Sequence, residues 1–209
     1  MTITINGNGT VTGVSVGGLP DGIVDTDMLD ATAVTDGKIA NTTISEGKLA
    51  AGVNTIQETD IWRVTSSFDS NGTFITSNWE RADQAGAEKI GTGMSESSGV
   101  FTFPSTGVWN VKFIAQASET SDDIRYAGAY LNTTTNNSSY IEAAIGVGNI
   151  HNHNNVCWTM PVAETNFDVT DVSQCKCKFY VGAESSGVTW VGSTTINNTY
   201  VVFTRLGDT

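Results

Sequence analysis

Two histidines one residue apart, His151-Asn152-His153, have the spacing in this chain best suited to chemistry. Alternate residues of a strand share a face, so both imidazoles would point the same way. Three chains around an axis would then offer six imidazoles, enough for octahedral coordination of a transition metal. Their surroundings, Gly-Asn-Ile-His-Asn-His-Asn-Asn, have the composition of an exposed loop. His151 and His153 are therefore read first as solvated loop residues and second as candidate metal ligands. Cys175-Lys176-Cys177 and Cys157 suggest a zinc site, but structural zinc sites place two to four residues between cysteines, not one. On a strand the two thiols share a face and pack as small apolar groups.

Acidic residues cluster at Asp122-Asp123, at Glu80 and Asp83, and at Asp168 and Asp171. None has the ligand spacing of a calcium loop, and Ser121-Asp122-Asp123 reads as a solvated turn. Neither Gly-x-Ser-x-Gly nor a phosphate-binding Gly-x-x-x-x-Gly-Lys occurs, and both histidines fall in one loop. The chain is expected to be neither an enzyme nor a cofactor protein. Asn132–Ser139 and Asn149–Asn155, rich in amides and hydroxyls, suit hydrogen bonding to glycans as well as they suit solvated loops.

The elements that must carry these residues are strands. Charged residues make up 15% of the 209, and Thr, Ser, Asn and Gly fill the polar positions, which weakens helix interiors. A net charge of −12 argues against nucleic acid or an anionic membrane as the main partner. No apolar run is long enough for a membrane-crossing helix, and the start, Met1-Thr-Ile-Thr-Ile-Asn6, lacks the pattern of a secretory signal. Three cysteines do not make a disulfide framework, so synthesis in a reducing cytoplasm is expected.

All 18 aromatic residues lie beyond position 57, the first being Trp62. A segment of that length without rings has little to build a core from, so it must be disordered or ordered by further copies of itself. A ten-residue repeat over residues 22–51 favours the second. Its third column is Val24, Val34 and Ile44, its eighth is Leu29, Ile39 and Leu49, and Gly37-Lys38 recurs as Gly47-Lys48. One aliphatic residue every five positions cannot bury a face within one chain, but three chains around an axis can stack those positions into a thin core. Each such side chain contributes roughly 1.5–3 kcal/mol at full burial. Before the repeat, Ile3, Ile5, Val11, Val14 and Val16 alternate with polar residues and glycines, and Pro20-Asp21-Gly22 supplies a turn. This gives three regions: an arm over 1–20, a repeat stem over 21–57 and a head over 58–209.

The head reads as about ten short strands, expected at Trp62–Phe68, Phe74–Trp79, Val100–Phe103, Val108–Ala117, Ile124–Leu131, Tyr140–Val147, Val156–Met160, Cys175–Val181, Val188–Val191 and Thr199–Leu206. That density of strands and turns points to a two-sheet sandwich or jelly roll. The alternation places Trp109, Phe113, Phe179 and Phe203 between the sheets, with Tyr200 and Leu206 on the opposite parity from Phe203.

Two motifs carry a family resemblance. Phe101-Thr-Phe-Pro104-Ser-Thr-Gly107-Val-Trp109-Asn-Val111 resembles a stretch of complement-type globular heads, jelly rolls related to tumour necrosis factor. Thr199-Tyr-Val-Val-Phe203-Thr-Arg-Leu206 resembles their closing strand. The departures are Trp109 where the family usually has Tyr, Arg205 where a small residue is common, and the absence of a collagen stalk. The first half is similar to something narrower. Val16-Gly-Gly-Leu-Pro-Asp-Gly-Ile-Val-Asp-Thr-Asp-Met-Leu29 and the repeats after it resemble N-terminal stems of tail-fibre-type proteins of marine and cyanobacterial phages.

The combination implies an all-β homotrimer: an extended repeat stem followed by a ten-strand jelly-roll head, made in the host cytoplasm and carried on the virion. Tyr200 and Leu206 would then face the trimer axis. The arm would bind other virion proteins and the head would face the host, meeting surface glycan or protein, with no nucleic acid partner and no membrane insertion. The alternative is a capsid decoration protein that cements the shell.

Overall fold

Short, β-branched and aromatic runs broken by glycine and asparagine turns leave the backbone one way to pair its polar groups, which is between strands. The structure, a computed structural model, describes residues 4–5, 11–12, 34–35, 39, 56–69 and 71–209. The chain divides into two compact units, Met1–Val53 and Asn54–Thr209. In the first, β1 (Thr4–Ile5) pairs antiparallel with β2 (Val11–Thr12). Of the stem positions, Val34 is exposed and Ile39 half-buried within the single chain. Val24, Leu29, Ile44 and Leu49 lie outside the described residues.

The second unit is all strand and turn. In chain order its elements are β3 (Thr59–Val64), β4 (Phe68–Asp69), β5 (Thr73–Phe74), β6 (Trp79–Arg81), β7 (Ser95–Ser97), β8 (Val100–Thr102), β9 (Gly107–Ile114) and β10 (Ala117–Glu119). They continue as β11 (Ile124–Thr134), β12 (Ile141–Ile150), β13 (Cys157–Thr159), β14 (Val162–Val169), β15 (Lys176–Ala183), β16 (Thr189–Trp190) and β17 (Tyr200–Gly207). One sheet runs β12-β11-β15-β8-β7, with β5 also on β15, and the other runs β14-β9-β17-β3-β6. A small third sheet, β13-β10-β16-β4, lies beside them, and every pairing is antiparallel. From β8 onward the chain crosses between the two large sheets from β8 to β9, β9 to β11, β12 to β14, β14 to β15 and β15 to β17. Those crossings make the double Greek key of a jelly roll.

The core lies between the large sheets. Phe101 and Phe179 from one sheet meet Phe113 and Phe203 from the other, and Trp109 packs against Phe103 at a centroid distance of 5.3 Å. Trp109, Phe113, Phe179 and Phe203 are all fully buried. The alternation of β9 holds through Phe113: Gly107, Trp109, Val111 and Phe113 face inward, Val108, Asn110 and Lys112 are half-buried on the other side, and Ile114 at the end is buried as well. The Phe–Pro–Gly turn has a backbone reason. Gly107 has φ +134°, and a Cβ there would sit 2.5 Å from the Gly207 carbonyl oxygen.

The sequence-based strand count needs correction. Ten expected segments become fifteen strands among the described residues of Asn54–Thr209. Val108–Ala117 breaks at Ala115-Gln116, because β9 and β10 belong to different sheets. Trp62–Phe68 and Phe74–Trp79 likewise break, the latter before Asn78, which takes φ 62°. The strand expected at Tyr140–Val147 runs instead from Ile141 to Ile150, into the stretch read as the Asn149–Asn155 loop. Asn132–Thr134 belongs to β11, with Thr133 and Thr134 buried rather than solvated. Val162–Val169 was not expected as a strand at all. Ala163, Thr165, Phe167 and Val169 do alternate with Glu164, Asn166 and Asp168, but Ala and Thr make a weak apolar face.

Candidate functional site

Polar side chains around β3 form a structural cluster. Arg63 of β3 is fully buried and is held by Glu80, Asp83, Gln84 and the Thr194 carbonyl. Asp60, also buried, accepts from Arg81 Nε at 3.0 Å, Trp62 Nε1 at 2.9 Å and the Met94 amide at 2.8 Å. Glu80 and Asp83 are thus the partners of a buried guanidinium. Asp171 closes a local turn by accepting from the Ser173 amide and hydroxyl, both at 2.7 Å, which hold its carboxyl below the usual carboxylate range. Asp168 lies in β14, opposite Val108 of β9.

The histidines sit just beyond the end of β12. His151 Nε2 lies 3.1 Å from the Asn149 amide nitrogen, and its Nδ1 is 3.8 Å from Asp123 Oδ1. Asp123 also accepts from the Asn152 amide at 2.6 Å, which ties this loop to the turn after β10. His153 is exposed in the same loop. No group of three or more His, Cys, Asp or Glu side chains converges among the described residues. Cys175 and Cys177 are buried in the core cluster and Cys157 is half-buried, all three as free thiols. Burial pushes the Cys177 thiol well above its usual range.

The surface features that sequence reasoning missed are apolar. Trp158 is 60% exposed, and Ile145, Val147, Met160 and Val162 are each at least 40% exposed. They surround the place where β12 and β14, the terminal strands of the two large sheets, approach each other. A Cβ on Gly146 would lie 1.9 Å from the Val162 carbonyl oxygen, so only glycine permits this approach. Ile145 and Val147 flank that glycine in sequence. The available signal was Ile-Gly-Val-Gly in a strand whose outward residues are aliphatic. Tyr200 is half-buried on the outward parity of β17, and Leu206 is 57% exposed near its end.

The outward side of the other sheet carries rings. Gly128 and Gly182 are cross-strand partners, as are Tyr130 and Tyr180 two residues along. The tyrosine rings fold back over the glycines: a Cβ on Gly128 would lie 2.7 Å from the Tyr130 ring, and one on Gly182 would lie 3.2 Å from the Tyr180 ring. Phe74 meets Tyr180 edge to face, with centroids 5.4 Å apart. Lys178 Nζ sits between Phe74 and Tyr140, at 3.8 and 4.0 Å from their centroids. A shallow recess of about 230 Å³ opens here, lined by Phe74, Tyr130, Asn132, Glu142 and Tyr180.

Comparison with known proteins yields folds only. No protein-family model matches the chain, and no curated protein matches it. Solved structures do. The chain is similar to murine APRIL in a crystal structure at pH 8.0, with TM-score 0.46 and 11% identity, over 71% of this chain and 98% of that one. A structure of murine APRIL at pH 5.0 gives TM-score 0.47 and 11% identity, over 71% and 99%. The jelly-roll assignment of residues 54–209 stands on the strand order itself.

Proposed function

We propose that this chain is a self-assembling, non-enzymatic virion protein, a homotrimeric phage fibre whose C-terminal head faces the host. The supporting observation is the exposed apolar side chains of Trp158, Met160 and Val162 beside the edge where β12 and β14 approach each other. Large apolar side chains left exposed close together suit contact with another protein. The edge strands also leave backbone donors and acceptors that another copy can cover. The repeat stem points to the same partner: one aliphatic residue every five positions, Val24, Val34 and Ile44 with Leu29, Ile39 and Leu49, is too sparse to bury a face within one chain. A homotrimer meets both requirements. Tyr200 and Leu206 lie toward its axis, and the arm over 1–20 binds the particle.

Sedimentation of the full chain tests the assembly, with a trimer at micromolar concentration expected and a stable monomer overturning it. Antibody labelling of intact particles tests the location. Label on a projecting appendage supports the fibre. Label spread over the shell, with added protein raising the melting temperature of empty capsids, would replace it with the decoration reading. A chain beginning at Ile56 is expected to be excluded from particles.

A further inference from the structure

We infer that the outward face of the β12-β11-β15 sheet is a binding site for neutral carbohydrate, built on Tyr130, Tyr180 and Phe74 with Asn132 and Glu142 at its rim. This deepens the host-facing reading of the head and rests on it for biological meaning, though not for its geometry.

The paired glycines Gly128 and Gly182 form a floor without side chains, and the Tyr130 ring lies against it. Tyr130 and Tyr180 are each half-buried, so part of each ring stays open to solvent. A pyranose presents a face of C–H groups whose partial positive charge suits the negative face of an aromatic ring. Its hydroxyls then need polar partners at the edges, and the recess supplies an amide in Asn132, a carboxylate in Glu142 and the phenol groups. No hydrogen bond within the described residues ties down the Asn132 or Glu142 side chain.

The same geometry selects among ligands. A quaternary ammonium needs rings standing apart around it. Here Tyr130 and Tyr180 are in edge-to-face contact, with centroids 4.9 Å apart at 87°, so no cation fits between them. An anionic sugar would meet Glu142 on a chain of net charge −12, and the nearest cation, Lys178, is already held between Phe74 and Tyr140. A larger recess of about 480 Å³ lies toward the ends of β11 and β12. Its polar side chains face other residues, Arg125 with Glu184 at 3.2 Å and His151 with Asp123 at 3.8 Å, so it offers a ligand less.

The full-length chain is probed by saturation-transfer NMR and titration calorimetry against neutral gluco-, galacto- and manno-configured trisaccharides, with sialyllactose and choline as comparators. Binding of at least one neutral trisaccharide is expected, weakened about tenfold or more by Tyr130→Ala and by Asn132→Ala. Tyr130 and Asn132 both face outward, and a thermal melt shows whether each variant is folded. Should Tyr130→Ala fail to fold, Asn132→Ala carries the test. The inference is overturned if no neutral trisaccharide binds at concentrations on the order of millimolar. It is equally overturned if folded variants bind unchanged, or if only sialyllactose or choline binds. Sugar binding is read on purified protein, so its failure is separate from failure of the particle-labelling experiment.

Discussion

Phe113 and Phe179 meet across the jelly roll with ring centroids 4.8 Å apart and planes 34° from parallel, joining β9 of one sheet to β15 of the other. Both are fully buried, and Phe179 also touches Phe101, Phe203 and Trp79. Phe113→Ala leaves a cavity at this junction. The expected loss is about 3–5 kcal/mol, a large share of the roughly 5–15 kcal/mol that holds a domain together. Chemical denaturation of the full chain measures it, and an unchanged midpoint would mean that the facing of β9 is wrong.

The edge crossing makes a second prediction. Gly146→Ala drives a methyl group into the Val162 backbone, so β12 and β14 must move apart. Overpacking of this kind costs about 1–3 kcal/mol. Trp158→Glu leaves the core untouched and charges the exposed patch, so the head should melt normally while the oligomer dissociates in sedimentation.

Tyr200→Ala should behave unlike Phe113→Ala. Tyr200 is on the outward parity of β17, so its truncation is expected to loosen association first. The signature is a melting temperature that rises with protein concentration. A melt independent of concentration, with the oligomer intact, would remove Tyr200 from the interface.

Asp60 holds three donors in a buried site. Asp60→Ala leaves the buried Met94 amide without its acceptor and takes one from the Trp62 indole and from the partly exposed Arg81, and a buried donor left unpaired costs about 1–3 kcal/mol. Asp60→Asn, which keeps the volume, should cost less. Denaturation midpoints of the two variants give the comparison.

Thiol labelling checks the cysteine placement. Cys175 and Cys177 should resist iodoacetamide until the head unfolds, because both are buried and burial keeps Cys177 in the unreactive thiol form. Peptide mass mapping before and after denaturation reads this directly. Native labelling of Cys177 would contradict the core.

Sequence by itself was enough for whatever depends on local pattern. The all-β class follows from Thr, Ser, Asn and Gly in the polar positions, and the inward facing of Trp109, Phe113, Phe179 and Phe203 follows from period-two alternation, since successive residues of a strand point to opposite sides. The missing aromatics before Trp62 mark a change of composition, while Val24, Leu29, Ile44 and Leu49 lie outside the described residues. Tertiary structure decided everything that depends on which strands become neighbours. Val162–Val169 is a strand because β9 pairs with it along its whole length, a partner that no local signal reveals. Glu80 and Asp83 read only as two nearby acids until Arg63 is found buried against them, about 20 residues away in the chain. The same holds for the surface. Tyr130 and Tyr180, or Gly128 and Gly182, are fifty or more positions apart in sequence, and only the register of β11 on β15 sets them side by side. A one-residue slip of one strand would turn its tyrosine inward and abolish the recess, because side chains alternate strictly across a sheet.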